Sequence, residues 1–296
     1  MSCYGVLLDP GPGDSLRFLH GFCNLLDEKN ETGTIFCTPI AFRNIGGLFN
    51  SVDQKIELVK CTEFSSINKC LAELPESEIW YCYDIKYIDH NTKKLPEIIT
   101  DNTIHSYYMI DRFDNHKYMH GKIASHLQLP KLPKKDKALL FLRNMTIRPE
   151  RNMNYSLLKM ILEISKKHSV VYDVVGERVD EWDVLLQQIQ SKRLYPDSYP
   201  EYLVQMEEYG RYRFAIGMNS GGLDLAIAAG IPGIRIGEFH QYYSWLGADY
   251  NDFLSSARTV NIASRSETDI SNIGKLQIQK AMEIIFHNSG NGIWWV

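Results

Sequence analysis

The 296 residues lack most of the marks that would tie a chain to a membrane, a disulfide scaffold or a polyanion. The longest nearly apolar stretch, Leu225 to Ile236, carries Pro232 and Arg235 and falls short of the roughly 20 residues a membrane span needs. The apolar start Tyr4 to Leu8 stops at Asp9 and Pro10 with no basic segment before it, which argues against a secretory signal. Positive charge is not in excess: Lys+Arg number 32 against Asp+Glu 36, a formal charge of -4, unlike a bulk nucleic-acid or anionic-membrane binder. Six cysteines all lie in the first third (Cys3, Cys23, Cys37, Cys61, Cys70 and Cys82) with no CxxC pair, and read as reduced, buried thiols. No Asp-x-Asp occurs, which removes the usual sign of a divalent ion holding a nucleotide diphosphate, and no metal site is expected. His116 and His120 have helical spacing, but Lys117 stands where a zinc protease has glutamate. Repeats and low-complexity tracts are absent too.

What is present is ordinary globular composition and an α/β rhythm. Apolar runs at Tyr4 to Leu8, Thr34 to Cys37, Ile56 to Val59 and Ile79 to Tyr83 read as strands alternating with helices, hence a parallel sheet covered on both faces. Leu16, Leu19, Phe22, Cys23 and Leu26 make one apolar stripe on a helix expected over about Leu16 to Leu26. Two prolines and four lysines between Leu129 and Lys137 neither continue a helix nor bury themselves. A domain boundary follows there, with domains 1–130 and 131–296. The pattern restarts with strands at Ala138 to Leu142, Val170 to Val175, Phe214 to Gly217 and Gly233 to Ile236. Helices fall at about Asn154 to Lys166, Glu181 to Lys192 and Gly222 to Ala229. A last amphipathic segment, about Glu267 to Phe286, is placed to pack back on the first domain.

In such sheets ligands bind beyond the carboxyl ends of the strands, where a glycine turn lets a helix N-terminus meet an anion. Two segments have that form. The first is Asp9 to Ser15, in which Gly11 and Gly13 permit close backbone approach and Asp14 or Ser15 sits where a helix cap belongs. It fails as a dinucleotide fingerprint because Leu16 replaces the last glycine, and as a P-loop because it has no Gly-Lys-Ser/Thr. Asp14 is either a helix cap or a general base, and a carboxylate can be both. The second runs from Phe214 to Pro232, FAIGMNSGGLDLAIAAGIP: strand, small-residue turn, short helix, stop. Ser220, Gly221 and Gly222 leave amides uncovered at the positive end of the helix, a seat for phosphate or else a tight helix entry. Asn219 and Asp224 flank this turn; Asp224 would repel a phosphate unless it faces a sugar hydroxyl or the helix dipole. Arg143, Arg148 and Arg151 fall within nine residues on a loop after the first strand of the second domain, and suit phosphate oxygens or simply solvent. Glu238 is either a ribose ligand or a solvated loop residue. The Trp294–Trp295 pair and the Tyr242–Trp245 stretch read as packing or lid aromatics.

These residues resemble a family. VLLDPGPGDSLRFL from Val6, with IFCTP from Ile35 and VDQKIEL from Val52, looks like the opening of the ADP-heptose lipopolysaccharide heptosyltransferases. The Asn219 to Pro232 run is similar to their Asp-Ser-Gly-Pro-Met-His-Leu segment, with Asp224 at the histidine and Gly222 at the proline. The resemblance implies a GT-B glycosyltransferase: two Rossmann-like domains with parallel sheets facing across a cleft, acceptor mainly on the first and nucleotide-sugar donor mainly on the second. It implies Asp14 as the catalytic carboxylate and Ser220, Gly221 and Gly222 as the donor-phosphate turn, with Arg143, Arg148 and Arg151 in support. Gly11, Gly13, Asn219, Asp224 and Glu238 become further donor or acceptor contacts. The expected reaction is metal-independent, inverting transfer of a hexosyl or pentosyl group to a saccharide or glycolipid hydroxyl, as in polysaccharide biosynthesis, with no cofactor. Rival readings are a nucleotide-sugar epimerase or hydrolase, a non-catalytic nucleotide-sugar binder, and a transferase acting on modified nucleic acid through basic patches such as Lys131 to Lys137. A cytoplasmic protein is expected, free or held peripherally at a membrane surface.

Overall fold

The computed structural model describes residues 2–52, 55–74, 79–83, 105–106, 126–145, 152–189, 191–238, 258–264, 273–287 and 292–296. The chain divides into two compact units, 1–128 with 201–204, and 129–200 with 205–296. None of the described helices is long and apolar enough to cross a membrane.

The first unit contains β1 (Ser2–Leu8), α1 (Pro12–Lys29), β2 (Thr32–Cys37), α2 (Pro39–Asn50), β3 (Ile56–Lys60), α3 (Phe64–Ala72), β4 (Ile79–Tyr83) and β5 (His105–Ser106). Every ladder is parallel and the order is β3-β2-β1-β4-β5. The strand sequence therefore reverses at β1, between β2 and β4. α1 sits tightly on the sheet because side chains on Gly5 and Gly33 would collide with Phe18 and Phe22. The other face is packed by α3: Ile67 and Leu71 meet Val6, Leu8, Phe36 and Ile79.

The sequence placed the start of α1 too late. The helix begins at Pro12, whose fixed φ and missing N–H suit a first helical position, and Gly11 is the N-cap. Asp14 and Ser15 are thus inside the first turn rather than at the cap, and no side chain caps the helix. The far end closes on Asn30 in the left-handed region (φ 51), whose N–H reaches Leu26 O and Asp27 O.

The second unit contains β6 (Ala138–Leu142), α4 (Tyr155–Lys167), β7 (Tyr172–Gly176), α5 (Asp180–Gln188), β8 (Lys192–Arg193), α6 (Tyr202–Tyr209, its first residues grouped with the first unit), β9 (Ala215–Met218), α7 (Gly221–Ala228), β10 (Gly233–Glu238), β11 (Thr259–Ser264), α8 (Lys275–His287) and β12 (Ile293–Trp295). Its parallel sheet runs β12-β11-β10-β9-β6-β7-β8, so the order reverses between β6 and β9. One face buries Leu140, Val174, Ile216, Ile234 and Ile262 against α4 and α8. Ile278, Ala281, Met282 and Ile285 of α8 belong to this core, so a return to the first domain is not needed to bury that helix's apolar face. α5 stops at Gln188, short of the expected Lys192, which instead opens the two-residue edge strand β8.

Candidate functional site

A strand-order reversal leaves a crevice outside the carboxyl ends of the two strands that flank it, because their following connections leave to opposite sides. In the first unit that place is the end of β1, where Asp9 to Gly13 turn into α1. Asp9 takes a left-handed conformation (φ 48) and its carboxylate accepts the Thr38 hydroxyl, while Thr38 Oγ1 accepts the Ala41 N–H and caps α2. The turn is thereby tied to β2 as well as β1. The Ser15 hydroxyl donates to Pro10 O at 3.5 Å and the Tyr202 hydroxyl to the same oxygen at 3.4 Å. Asp14 projects from the first turn of α1, a quarter exposed, with Oδ1 3.4 Å from Arg17 Nη1. The helix dipole favours a negative charge there, and the guanidinium one turn along adds an opposite charge beside it. A carboxylate at a switch point, oriented by a guanidinium and open to solvent, is equipped to accept a proton.

In the second unit the reversal lies between β6 and β9, and two predicted segments meet it. β9 ends at Met218, the Asn219 N–H continues the ladder to Ile236 O at 2.7 Å, and Ser220 is the N-cap of α7. The Ser220 side chain makes no capping bond. Ser220, Gly221 and Gly222 are all half-exposed, whereas everything from Leu223 to Ala228 is buried. The first turn of α7 thus starts at half-exposed residues with no side-chain cap on its amides, at the positive helix end, the geometry that receives an anion. Phe141 forms the neighbouring wall: its ring lies 3.3 Å from where a Gly222 Cβ would stand.

Asn219 and Asp224 do not face outward with the turn. Both are buried, and both accept from one guanidinium nitrogen, Arg235 Nη2, at 2.7 and 3.1 Å. This answers the electrostatic difficulty raised by an acid beside a phosphate seat: Asp224 is turned inward and ion-paired. Breaking such a buried pair from one side costs about 3–5 kcal/mol. The arginine responsible escaped sequence reasoning because a single Arg in an apolar strand shows no periodic signal.

Arg143 follows β6 across the same reversal. It is largely buried, its Nη1 donates to Asn152 Oδ1 at 3.2 Å, and Asn152 also ties down Met145 through both backbone groups at 2.9 Å. Arg148 and Arg151 lie outside the described residues, as do His116, His120 and the Tyr242–Trp245 stretch. Glu238 ends β10 in register with Ser264, and its side chain is likewise outside the description. Gly11 and Gly13 stand at the cap and second residue of α1.

Other polar and aromatic groups gather on the same side of this sheet. The Phe141 ring meets Tyr209 at 5.3 Å, Tyr209 meets Tyr195 at 6.2 Å, and Tyr195 meets Tyr199 at 5.9 Å. Burial pushes the Tyr195 hydroxyl up to about 12 and raises Tyr199, with the Glu177 carboxylate adding to the latter. Arg193 donates to Gly176 O at 2.7 Å and pairs with Asp183 at 3.1 Å, while Glu177 accepts the Asn144 N–H at 2.9 Å. Among the described residues no three His, Cys, Asp or Glu side chains gather as metal ligands.

Two Rossmann-like units, each with a parallel sheet and a glycine-bearing turn where its strand order reverses, make a fold of the GT-B type. Solved structures share that fold along nearly the whole chain. E. coli heptosyltransferase WaaC with ADP aligns with a TM-score of 0.62 over 96% of this chain and 100% of its own, at 10% identity. E. coli ADP-heptose lps heptosyltransferase II aligns at 0.56 over 96% and 98%, at 10% identity. A glycosyl transferase family 9 protein from Veillonella parvula aligns at 0.56 over 95% and 96%, at 11% identity. No protein-family model and no curated protein sequence matches the chain. At such identity the likeness is one of fold.

Proposed function

We propose that this protein is a glycosyltransferase that moves a sugar from a nucleotide-diphosphate donor to an acceptor hydroxyl, with inversion and without a metal or other cofactor. The observation that carries the reading is the start of α7: three small, half-exposed residues at a switch point, with the cap serine uncommitted. A positive helix start, with Arg143 directly after the neighbouring strand β6, takes the part that a divalent ion plays elsewhere, stabilising charge on a departing diphosphate. The heptosyltransferases that share the fold are described with ADP and ADP-2-deoxy-2-fluoro heptose, which supports a nucleotide sugar as donor here.

In the proposed step the Asp14 carboxylate takes the proton of the acceptor hydroxyl. The oxygen attacks the anomeric carbon as the bond to the diphosphate oxygen breaks, and the nucleoside diphosphate leaves with the electron pair. Arg17 holds the Asp14 carboxylate in place. A saccharide or glycolipid acceptor, bound mainly by the first unit, and a role in polysaccharide biosynthesis complete the reading.

The test is release of nucleoside diphosphate from a panel of nucleotide sugars, in chelator, with a glycan mixture as acceptor. Wild type turns over one donor and yields the inverted anomer. Asp14→Asn loses 10²- to 10⁴-fold of that rate, a range typical of general-base removal, while its donor affinity stays within threefold. Undiminished turnover by Asp14→Asn refutes the base assignment, and wild-type turnover that is absent in chelator and appears only with an excess of divalent metal refutes metal independence.

A further inference from the structure

The residues beneath the α7 turn carry more than a packing role. Arg235 sits in the middle of β10, near the centre of the seven-stranded sheet, and is fully buried. Its neighbours in register are Gly217 on β9 and Asn261 on β11, so the guanidinium lies on the sheet face that α7 covers at Gly233. From there Nη2 reaches Asn219 Oδ1 at 2.7 Å, immediately before the turn, and Asp224 Oδ1 at 3.1 Å, in the first turn of the helix. One cation thus grips both ends of the Asn219–Asp224 segment. Of the four residues in between, Ser220 makes no side-chain capping bond, and Gly221 and Gly222 have no side chain to make one.

We infer that Arg235 is a positioning residue for an anion on this turn: it fixes the segment's two ends and cancels the Asp224 charge, so that the outward amides meet a diphosphate without an anion behind them. The inference rests on reading this turn as the donor-phosphate seat. The chemistry follows from sign and distance. An ionised Asp224 without its partner would stand one helical turn from the bound phosphate, in a buried setting where solvent screens little. It would weaken the helix N-terminus as an anion site by opposing the dipole. With the pair intact the segment is neutral, and the exposed amides supply the positive field.

The experiment is calorimetric titration of the full-length protein with ADP, UDP, GDP and CDP, each variant's fold being checked by far-UV circular dichroism. Wild type identifies the nucleotide bound. Arg235→Met, which strands Asp224, should weaken that nucleotide at least tenfold, about 1.4 kcal/mol. Arg235→Met with Asp224→Leu removes both charges and should recover most of the loss, which a purely structural arginine would not allow. If Arg235→Met does not fold, Asp224→Asn carries the test: it removes the anion, keeps the shape, and should tighten binding twofold or more.

Unchanged affinity in folded Arg235→Met overturns the inference, and so does an equal loss in the single and double variants. A tenfold loss in Asp224→Asn overturns it as well, since Asp224 would then contact the nucleotide directly. Wild type that binds none of the four nucleotides removes the donor reading itself, and the inference falls with it.

Discussion

Gly217 is the position at which fold and site can be perturbed together. It lies in β9, in register with Phe141 of β6 on one side and Arg235 of β10 on the other, one residue before Met218 ends the strand. An alanine Cβ there would stand 2.5 Å from the Phe141 carbonyl oxygen and 2.6 Å from the Phe141 Cβ. Ordinary contact begins near 3.4 Å, so β6 and β9 must part locally by roughly 0.9 Å. Neither atom is the end of a flexible side chain, so the strain falls on the backbone. Overpacking of this kind costs about 1–3 kcal/mol. The lost freedom of the unfolded glycine returns about 0.4–1 kcal/mol, leaving a net destabilisation of about 1–2 kcal/mol. For a chain of this size each kcal/mol lowers Tm by about 2–4 °C, so Gly217→Ala should melt roughly 2–8 °C below wild type in a calorimetric scan. The parting occurs at the strand-order reversal, so nucleoside diphosphate affinity should fall as well. A Tm equal to or above wild type would refute the β6–β9 packing on which the placement of the turn depends.

Two further predictions concern the first unit. His126 Nε2 meets Asn24 Oδ1 at 2.9 Å and its ring lies 5.1 Å from that of His20. Burial holds its pKa below 6.5, against the opposing pull of Asp27. The unfolded chain then binds the extra proton first, so this residue contributes stability that is present above 6.5 and lost as the pH falls toward the folded value. Urea midpoints at about pH 7.5 and about pH 5.5 should fall more in wild type than in His126→Gln, and equal falls contradict this. The thiols of Cys3, Cys23, Cys37 and Cys61 are buried, and burial pushes Cys23 up to about 12 and Cys61 up to about 11. These four should react with a disulfide reagent at mildly alkaline pH only after denaturation; rapid labelling in the native state would contradict the packing of β1, α1 and β2.

Much of the architecture was legible because the strands read as unbroken apolar runs: β4 at Ile79–Tyr83 and β6 at Ala138–Leu142, the latter buried throughout, fall where the sequence puts them. The short edge strands β8 and β12 were not, since two or three residues such as Lys192–Arg193 carry no period. α1 was begun late because the prolines and glycines ahead of Leu16 look like a loop until Pro12 is seen as a first helical residue. At the site, the turn Ser220–Gly222 was visible from its composition. The inward direction of Asn219 and Asp224 was not, because it depends on an arginine in β10, sixteen and eleven residues further along.

The central claim is that the start of α7 holds a nucleoside diphosphate without a metal. The direct measurement is the melting temperature of the protein in chelator with ADP, UDP, GDP and CDP, for wild type and Ser220→Trp. A ligand at 100 times its dissociation constant adds about 2.7 kcal/mol, a rise of roughly 5–11 °C for a chain of this size. The account predicts that rise for one nucleotide in wild type and its loss in folded Ser220→Trp. No rise with any of the four, or a rise that persists undiminished in Ser220→Trp, contradicts it.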